Sequence, residues 1–217
     1  MPTARPPKRV ILGDVHDSSA IGEVATLTRD EALEVIAELK KSWKGWTFGR
    51  EILQLVTADE PEAREYALGM LRNGFGRAGG AAGGIGGGGR DRRPELLRWI
   101  GAVSPASYWE VCAEFADSGE DALRREAVVA LEQLAAPESI RALTKLLRRE
   151  KDPQVAKNLL RAIGAAGEDD KGARKLLLSR AADDDEPLLQ KNAVIALGWL
   201  TPHEDVLDFL RETLDTG

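Results

Sequence analysis

The sequence contains few of the side chains from which metal, redox and nucleophilic sites are commonly built. Its 217 residues include one cysteine, Cys112, and two histidines, His16 and His203. A single thiol excludes an internal disulfide and favours a reducing compartment. One thiol and two imidazoles are also too few for a structural zinc site of the usual kind. We therefore expect no disulfide framework, no metal and no cofactor.

The sequence also lacks a long hydrophobic run. No stretch of about 18 consecutive apolar residues is present, so no membrane-spanning helix is expected. The basic first residues, with Arg5, Lys8 and Arg9, are followed only by the apolar triplet Val10-Ile11-Leu12. Three apolar residues are too few for a secretory signal. These absences predict a cytoplasmic protein that binds no membrane.

Positive charge is scarce relative to negative charge. The chain has 30 Lys and Arg against 36 Asp and Glu, a formal net charge of -6. Most of the excess lies in residues 152–217, where eight basic side chains are outnumbered by 13 acidic ones. This balance argues against nucleic acid as the partner, because the phosphate backbone is bound mainly by Lys and Arg.

Glycine is in local excess. Ten of the 22 glycines lie between Gly74 and Gly89, and Arg90, Arg92 and Arg93 follow closely. Such a composition is typical of a flexible segment, so residues 74–93 are predicted to form a mobile Gly/Arg-rich loop. The three arginines are candidate contacts of that loop with a partner.

The glycine stretch also fits a nucleotide-binding pattern by letter. Gly74-Phe75-Gly76-Arg77-Ala78-Gly79 reads G-x-G-x-x-G. A dinucleotide site needs this pattern after a strand and at the start of a helix. Here it follows a predicted helix and lacks the Gly-Lys-Ser/Thr of a phosphate-binding loop. We therefore interpret the stretch as a loop without a nucleotide.

The N-terminal part of the chain has little periodicity before residue 28. Three prolines among the first seven residues favour extended backbone, so residues 1–27 are predicted to form an irregular arm. Thr28-Arg29-Asp30-Glu31 is a capping box, in which threonine and glutamate each bond to the other's backbone amide. Apolar residues then recur at helical spacing, which predicts helices over about 29–43 and 47–57.

Four segments of the remaining chain repeat one pattern, starting at Glu60, Glu120, Asp152 and Glu186. In three of them proline follows the acid, in the first helical turn, where its missing N–H is tolerated. Apolar and small residues then recur on one helix face. With a shorter helix at 94–102, the closing aliphatic positions are Leu71, Ile100, Leu131, Ile163 and Leu197, spaced 29 to 34 residues apart.

Amphipathic segments alternate with these repeats, over 105–117, 138–150, 171–182 and 203–214. The repeating unit is therefore a helix pair, and the pairs must stack because none can bury its apolar face alone. In this register the glycine stretch 74–89 takes the place of one outer helix, which makes one repeat degenerate. The predicted organisation is N-terminal helices with a first unit over 28–73, and repeats over 94–217.

Two of the repeats carry residues that resemble a known family. Asp152-Pro153-x-Val155 with Ala162-Ile163-Gly164, and Glu186-Pro187-x-Leu189 with Ala196-Leu197-Gly198, are similar to the HEAT repeat in its short bacterial form, also seen in bilin-lyase-like proteins. The resemblance covers about residues 47–217. It implies an all-α fold, a right-handed α-α superhelix. This scaffold carries unrelated tasks, so the resemblance indicates architecture and leaves the activity open.

A row of basic residues is the strongest candidate for a binding site. The position two after the aliphatic anchor is Arg125, Lys157 and Lys191 in three successive units, and Arg161 lies one turn beyond Lys157. Equivalent positions of stacked units line up, so these side chains predict a basic ladder on the concave surface, suited to an acidic peptide or another anionic ligand. The alternative is an ordinary solvated helix face whose long side chains cover alanines.

No catalytic residue is predicted. Asp14-Val15-His16 resembles the Asp-x-His opening of metallophosphoesterases, and His203-Glu204 is a single His-Glu pair, but each chemistry needs further ligands that the chain lacks. The favoured function is a non-enzymatic scaffold or adaptor that binds a protein or peptide partner. The alternatives are a HEAT-like enzyme, either bilin-lyase-like or DNA glycosylase-like, and a nucleic-acid-binding solenoid.

Overall fold

The computed structural model describes residues 27–42, 50–73, 91–182 and 185–216. Three predictions concern other parts of the chain: the irregular arm before residue 27, the flexible glycine stretch 74–89, and the loop contact Arg90. All three lie outside the described residues.

The described part of the chain forms eleven α-helices and two short 3-10 helices, with no strand among these residues. This confirms the predicted all-α fold. The helices are α1 (Arg29–Ser42), α2 (Arg50–Thr57), α3 (Pro61–Asn73), α4 (Arg93–Val103), α5 (Trp109–Phe115), α6 (Asp121–Leu134), α7 (Ile140–Leu147), α8 (Pro153–Ala166), α9 (Lys171–Ala181), α10 (Pro187–Leu197) and α11 (Glu204–Thr216).

The helix starts follow the predicted capping chemistry. The backbone N–H of Thr28 donates to Glu31 Oε2 at 2.8 Å, which forms half of the predicted capping box. The Asp152 carboxylate accepts from the backbone N–H of Gln154 at 2.8 Å, and Pro153 occupies the first position of α8. Asp170 accepts in the same way from the N–H of Ala173 at 2.6 Å. Acids at these positions also suit the positive end of the helix dipole.

The helices form two rows. Helices α4, α6, α8 and α10 pack side by side, and we call them the inner row. Helices α5, α7 and α9 each pack against the inner helix that follows them, and we call them the outer row. Helix α11 packs on α9 and extends the outer row. This is the alternating arrangement of a helical solenoid, in which each pair contacts mainly its neighbours.

Helix α3 lies in the outer row, although its sequence aligns with the inner helices. It packs against α1, and its Arg72 forms two hydrogen bonds to Glu114 of α5, at 2.8 and 2.7 Å. Helix α2, in contrast, packs against α4. The predicted replacement of an outer helix concerns the glycine stretch 74–89, which lies outside the described residues. In chain order α3 precedes this stretch and α4 follows it.

The alignment placed α3 in the other row because helices of both rows bury one apolar face with the same period of 3.6 residues. A closing glycine follows the last aliphatic residue in α4, α8 and α10, whereas inner helix α6 has Glu132 there. In α3 that position is Arg72, whose long side chain extends to α5.

Glycine permits a very close approach between inner helices. A Cβ atom added to Gly101 of α4 would lie 2.6 Å from Ala130 Cα of α6. A Cβ atom added to Gly164 of α8 would lie 2.8 Å from Ala196 Cα of α10. Both distances are shorter than real Cβ contacts, so these two crossings bring backbone against backbone. The small residues of the repeat are thus the points at which the row is held together.

The remaining core is apolar and continuous along both rows. Trp99 is buried, and Trp109 is partly buried against the same core, so both rings fill space inside the solenoid. Cys112 is fully buried in α5, and this burial raises the pKa of its thiol. A buried thiol of this kind is chemically inert.

We predict that Gly164→Ala destabilises the protein by about 1–3 kcal/mol, the usual cost of overpacking a core, because the added Cβ meets the backbone of α10. The measurement is the free energy of unfolding in urea. Gly69→Ala in α3 is the matched control. No atom lies within 4 Å of its added Cβ, so helix propensity alone should stabilise by about 0.5–1 kcal/mol. Equal stability of both variants would show that α8 and α10 are not in close contact.

Candidate binding face

Arg125 of α6 links the inner row at the start of α8. Its guanidinium donates to Asp152 Oδ2 at 3.2 Å, and its side chain is about half exposed. The backbone N–H of Gln154, with a smaller effect of Arg125, lowers the pKa of the Asp152 carboxyl. Asp152 thus caps α8 with one oxygen and holds Arg125 with the other.

Arg161 of α8 reaches back to the same helix. Its Nη2 donates to Glu132 Oε1 of α6 at 2.7 Å. Glu132 is mostly buried, and this burial raises the pKa of its carboxyl against the opposing effect of Arg161. Glu132 stands where α4 and α8 have their closing glycines. The ion pair therefore replaces, between α6 and α8, the backbone contact seen at the other crossings.

Arg161 also contacts the next unit. Its guanidinium carbon lies 5.5 Å from the ring centroid of Trp199, which follows the end of α10. This is the distance of a cation–π interaction. One side chain thereby connects three successive inner helices, and we call Glu132, Arg161 and Trp199 the Arg161 bridge.

Lys157 and Lys191 lie at equivalent positions of α8 and α10. Each comes two residues after a buried aliphatic anchor, Val155 or Leu189. Lys157 is half-buried and Lys191 is exposed. In the described part of the chain neither ammonium group forms an ion pair. Of the four predicted ladder residues, two are therefore paired with carboxylates of the protein and two carry uncompensated charge.

The arginines after the glycine stretch stabilise the start of α4. Arg93 binds Asp91 at 2.9 Å and Glu120 at 2.6 Å, which attaches this helix end to the start of α6. Arg92 lies 4.0 Å from Glu95. Two of the three predicted loop contacts, Arg92 and Arg93, are thus engaged inside the protein, while Arg90 lies outside the described residues.

One part of the face has no counterpart among the sequence-predicted site residues. Leu188, Ile195 and Trp199 are 37%, 41% and 36% exposed. The spacing of seven residues places Leu188 and Ile195 on the side of α10 that also carries Lys191, and Trp199 follows two residues after the helix ends. We call Leu188, Lys191, Ile195 and Trp199 the α10 stripe.

The repeat alignment contains a signal for this stripe. The residues of α6 equivalent to Leu188 and Trp199 are Ala122 and Gln133, and those of α8 are Gln154 and Ala165. Both positions are small or polar in α6 and α8 and become large and apolar in α10. Comparing units position by position would have found it.

The described residues show no group of three or more His, Cys, Asp or Glu side chains that could hold a metal ion. His203 is exposed and lies just before α11. None of the described helices has the length and apolar character needed to span a bilayer.

Two family models match the C-terminal half of the chain. The model described as HEAT repeats matches residues 140–217. The model described as PBS lyase HEAT-like repeat matches residues 123–149. These matches confirm the resemblance and, with the two helical rows, define an all-α HEAT-like solenoid. HEAT repeats generally serve as protein-interaction scaffolds. The second model describes a repeat only, so its match does not assign a lyase activity. A search of curated proteins found no match.

We predict that Arg161→Ala lowers the free energy of unfolding by about 1–2 kcal/mol at neutral pH, because it leaves the buried Glu132 carboxylate without its partner. The loss should depend on pH. The folded-state pKa of Glu132 is already raised, and losing Arg161 raises it further. Below the unfolded-state pKa the carboxyl is neutral in both states, so the loss is small. The loss of stability caused by Arg161→Ala grows as pH rises through the folded-state pKa of Glu132.

The measurement is urea unfolding of wild type and variant at about pH 3.5 and pH 7, where Glu132 is mostly neutral or mostly charged in the unfolded chain. The controls are Glu132→Gln alone and Glu132→Gln combined with Arg161→Ala. The difference between their free energies of unfolding should not change with pH. If wild type and Arg161→Ala differ in free energy of unfolding by the same amount at both pH values, this account of the Arg161 bridge is contradicted.

Proposed function

We propose that the protein is a non-enzymatic interaction scaffold that binds a protein or peptide partner, acidic in character, through the concave surface formed by its inner helices. The residues we assign to this contact are Arg125, Lys157, Arg161 and Lys191. Arg90, Arg92 and Arg93 remain proposed auxiliary contacts beside the glycine stretch.

The observation that carries the proposal is that neither Lys157 nor Lys191 forms an ion pair among the described residues, on a protein of net charge -6. Other cations of the inner row have internal partners, as Arg98 has Glu126, Arg125 has Asp152 and Arg161 has Glu132. A carboxylate of a partner could pair with either lysine without displacing an acid of the protein. Such pairing favours association and selects against basic partners.

The repeat sets the distance between the two charges. Packed helices lie about 8–10 Å apart, and equivalent positions of neighbouring inner helices are separated by about this distance. Two carboxylates three residues apart on an extended chain are separated by about 10 Å. An extended acidic segment that crosses the inner row could therefore contact both lysines.

The alternatives require features that the described residues do not favour. A DNA glycosylase-like site uses an exposed tryptophan beside an aspartate in a basic groove. Trp199 is the most exposed of the three described tryptophans, and the charged group at its ring is Arg161. This arrangement supports a binding surface better than a catalytic one.

We predict that Lys157→Glu/Lys191→Glu weakens binding of an acidic partner at least tenfold, because two attractive contacts become repulsive. Partners are first recovered with immobilised wild-type protein and identified by mass spectrometry, and each affinity is then measured with purified components. Binding to wild type should also weaken as salt is raised.

The matched control is Lys145→Glu/Lys175→Glu, which makes the same charge change at exposed positions of outer helices α7 and α9. This variant should bind like wild type. The proposal fails if the inner-row variant binds the same partners with unchanged affinity, or if both variants lose binding equally, since the effect would then come from net charge.

A further inference from the structure

We propose that the binding face is centred on the α10 stripe and takes a short acidic segment of another protein that also carries large apolar side chains. The inference rests on the proposed function and adds to it the place and the chemistry of the contact. The apolar residues of the segment would lie on Leu188, Ile195 and Trp199, and its carboxylates would pair with Lys191 and Lys157.

The first argument is the concentration of exposed apolar surface. Five large apolar side chains are exposed in the described part of the chain: Leu33, Leu188, Ile195, Trp199 and Leu207. Two of the five, Leu188 and Ile195, lie on one side of α10, and a third, Trp199, follows just past the end of that helix. Single exposed apolar residues are ordinary, whereas a contiguous apolar patch surrounded by polar groups marks an interaction site.

The second argument is that Leu188 and Ile195 lie away from the packed core of the solenoid. The packing of α10 uses its other face, where Leu189, Ala193 and Leu197 are buried. The equivalent positions of α6 and α8, which pack into the same row, hold Ala122 and Gln154 where α10 has Leu188. Stacking of a unit therefore needs no large apolar side chain at that place.

The third argument is that Trp199 is held in position before anything binds. Arg161 lies against its ring and is itself fixed by the hydrogen bond to Glu132. A side chain that is already ordered loses less conformational entropy on binding. Tryptophan and arginine are also the residue types most enriched among those that dominate binding energy at interfaces.

The charges around the stripe select an acidic occupant. Lys191 lies within the stripe, between Leu188 and Ile195, and Lys157 lies on the neighbouring helix. The carboxylates that accept from basic residues of this face, Asp152 and Glu132, are bonded to Arg125 and Arg161. A purely apolar segment would leave both ammonium groups unpaired, and a basic one would be repelled.

The length of the stripe sets the length of the segment. Leu188 and Ile195 are seven residues apart on a helix, a distance of about 10 Å at 1.5 Å per residue. Trp199 lies about one further turn along. An extended chain rises about 3.3 Å per residue, so a segment of about five or six residues spans the stripe.

The test begins with a random 12-residue peptide library displayed on phage and selected on the immobilised full-length protein. Enriched peptides should combine Asp or Glu with Leu, Phe or Trp. The most enriched peptide is then synthesised with a fluorescent label, and its affinity for each protein variant is measured by fluorescence polarisation. Ile195→Ser and Trp199→Ala should each weaken binding at least tenfold, as should Lys157→Glu/Lys191→Glu.

Leu33→Ser and Leu207→Ser are the matched controls. These leucines are 41% and 40% exposed, as much as the stripe residues, and they lie on α1 and α11. Both variants should bind the peptide like wild type. Since the Ile195 side chain is exposed, Ile195→Ser should leave the helical circular dichroism spectrum and the melting temperature unchanged. Trp199→Ala also removes the ring that Arg161 contacts, so it should keep the spectrum and lower the melting temperature slightly.

The outcomes separate this inference from the proposed function. If the lysine variant loses binding while Ile195→Ser and Trp199→Ala keep it, the stripe is not the site and the scaffold proposal stands. If all three bind like wild type, both proposals are wrong. The inference is also overturned if no peptide is enriched, or if the enriched peptides are not acidic. If the wild-type protein self-associates and Ile195→Ser makes it monomeric, the inference is overturned, because the α10 stripe would then bind a second copy of the chain.

Discussion

The close approach of the inner helices is the constraint on which the rest of the structure depends. At Gly101 and Gly164 the backbone of one inner helix lies against an alanine of the next, with no room for a Cβ atom. Contacts this short tolerate no change of side-chain size, so they fix the position of each helix relative to its neighbour. The proposed contact residues border these crossings, since Lys157 lies seven residues before Gly164, two turns away along the same side of α8. The proposed binding face therefore runs beside the contacts that close the core.

Glu132 of α6 departs from the closing glycine of α4 and α8, and it determines where Arg161 lies. Where α4 and α8 have glycine, α6 has a mostly buried carboxylate, and a buried charge without a partner is costly. Arg161 pairs with the Glu132 carboxylate, and this position places its guanidinium beside Trp199. Glu132 departs from the repeat pattern in α6, and Arg161 of α8 supplies the charge that pairs with it. The same guanidinium contacts the ring of Trp199 in the following unit. Lys157 and Lys191 carry the remaining positive charge beside this bridge.

The sequence predicts the fold well because acid-proline starts and apolar spacing are local signals. Asp152-Pro153 and Glu186-Pro187 mark the starts of α8 and α10 as the structure has them. The row of α3 could not be predicted in this way, because its apolar period is the same as that of an inner helix, and its position depends on tertiary packing, such as its contact with α1. Likewise Lys157 and Arg125 are equivalent in sequence, yet of the two it is Arg125 that forms an ion pair within the described part of the chain. Ion pairs between residues 27 to 29 positions apart depend on the exact stacking of the units.

The most direct test of this account is a cross-linking measurement on the inner row. Lys157→Cys with Lys191→Cys should be joined by a bismaleimide linker of about 8–10 Å, the distance between packed helices, whereas Lys157→Cys with Lys175→Cys on outer helix α9 should not. Cys112 is fully buried and should not react in either protein. Intramolecular cross-linking of the first pair alone, detected by mass spectrometry of peptide fragments, is the predicted result. Equal cross-linking of both pairs, or of the second pair only, would contradict the arrangement of the two rows and with it the binding face.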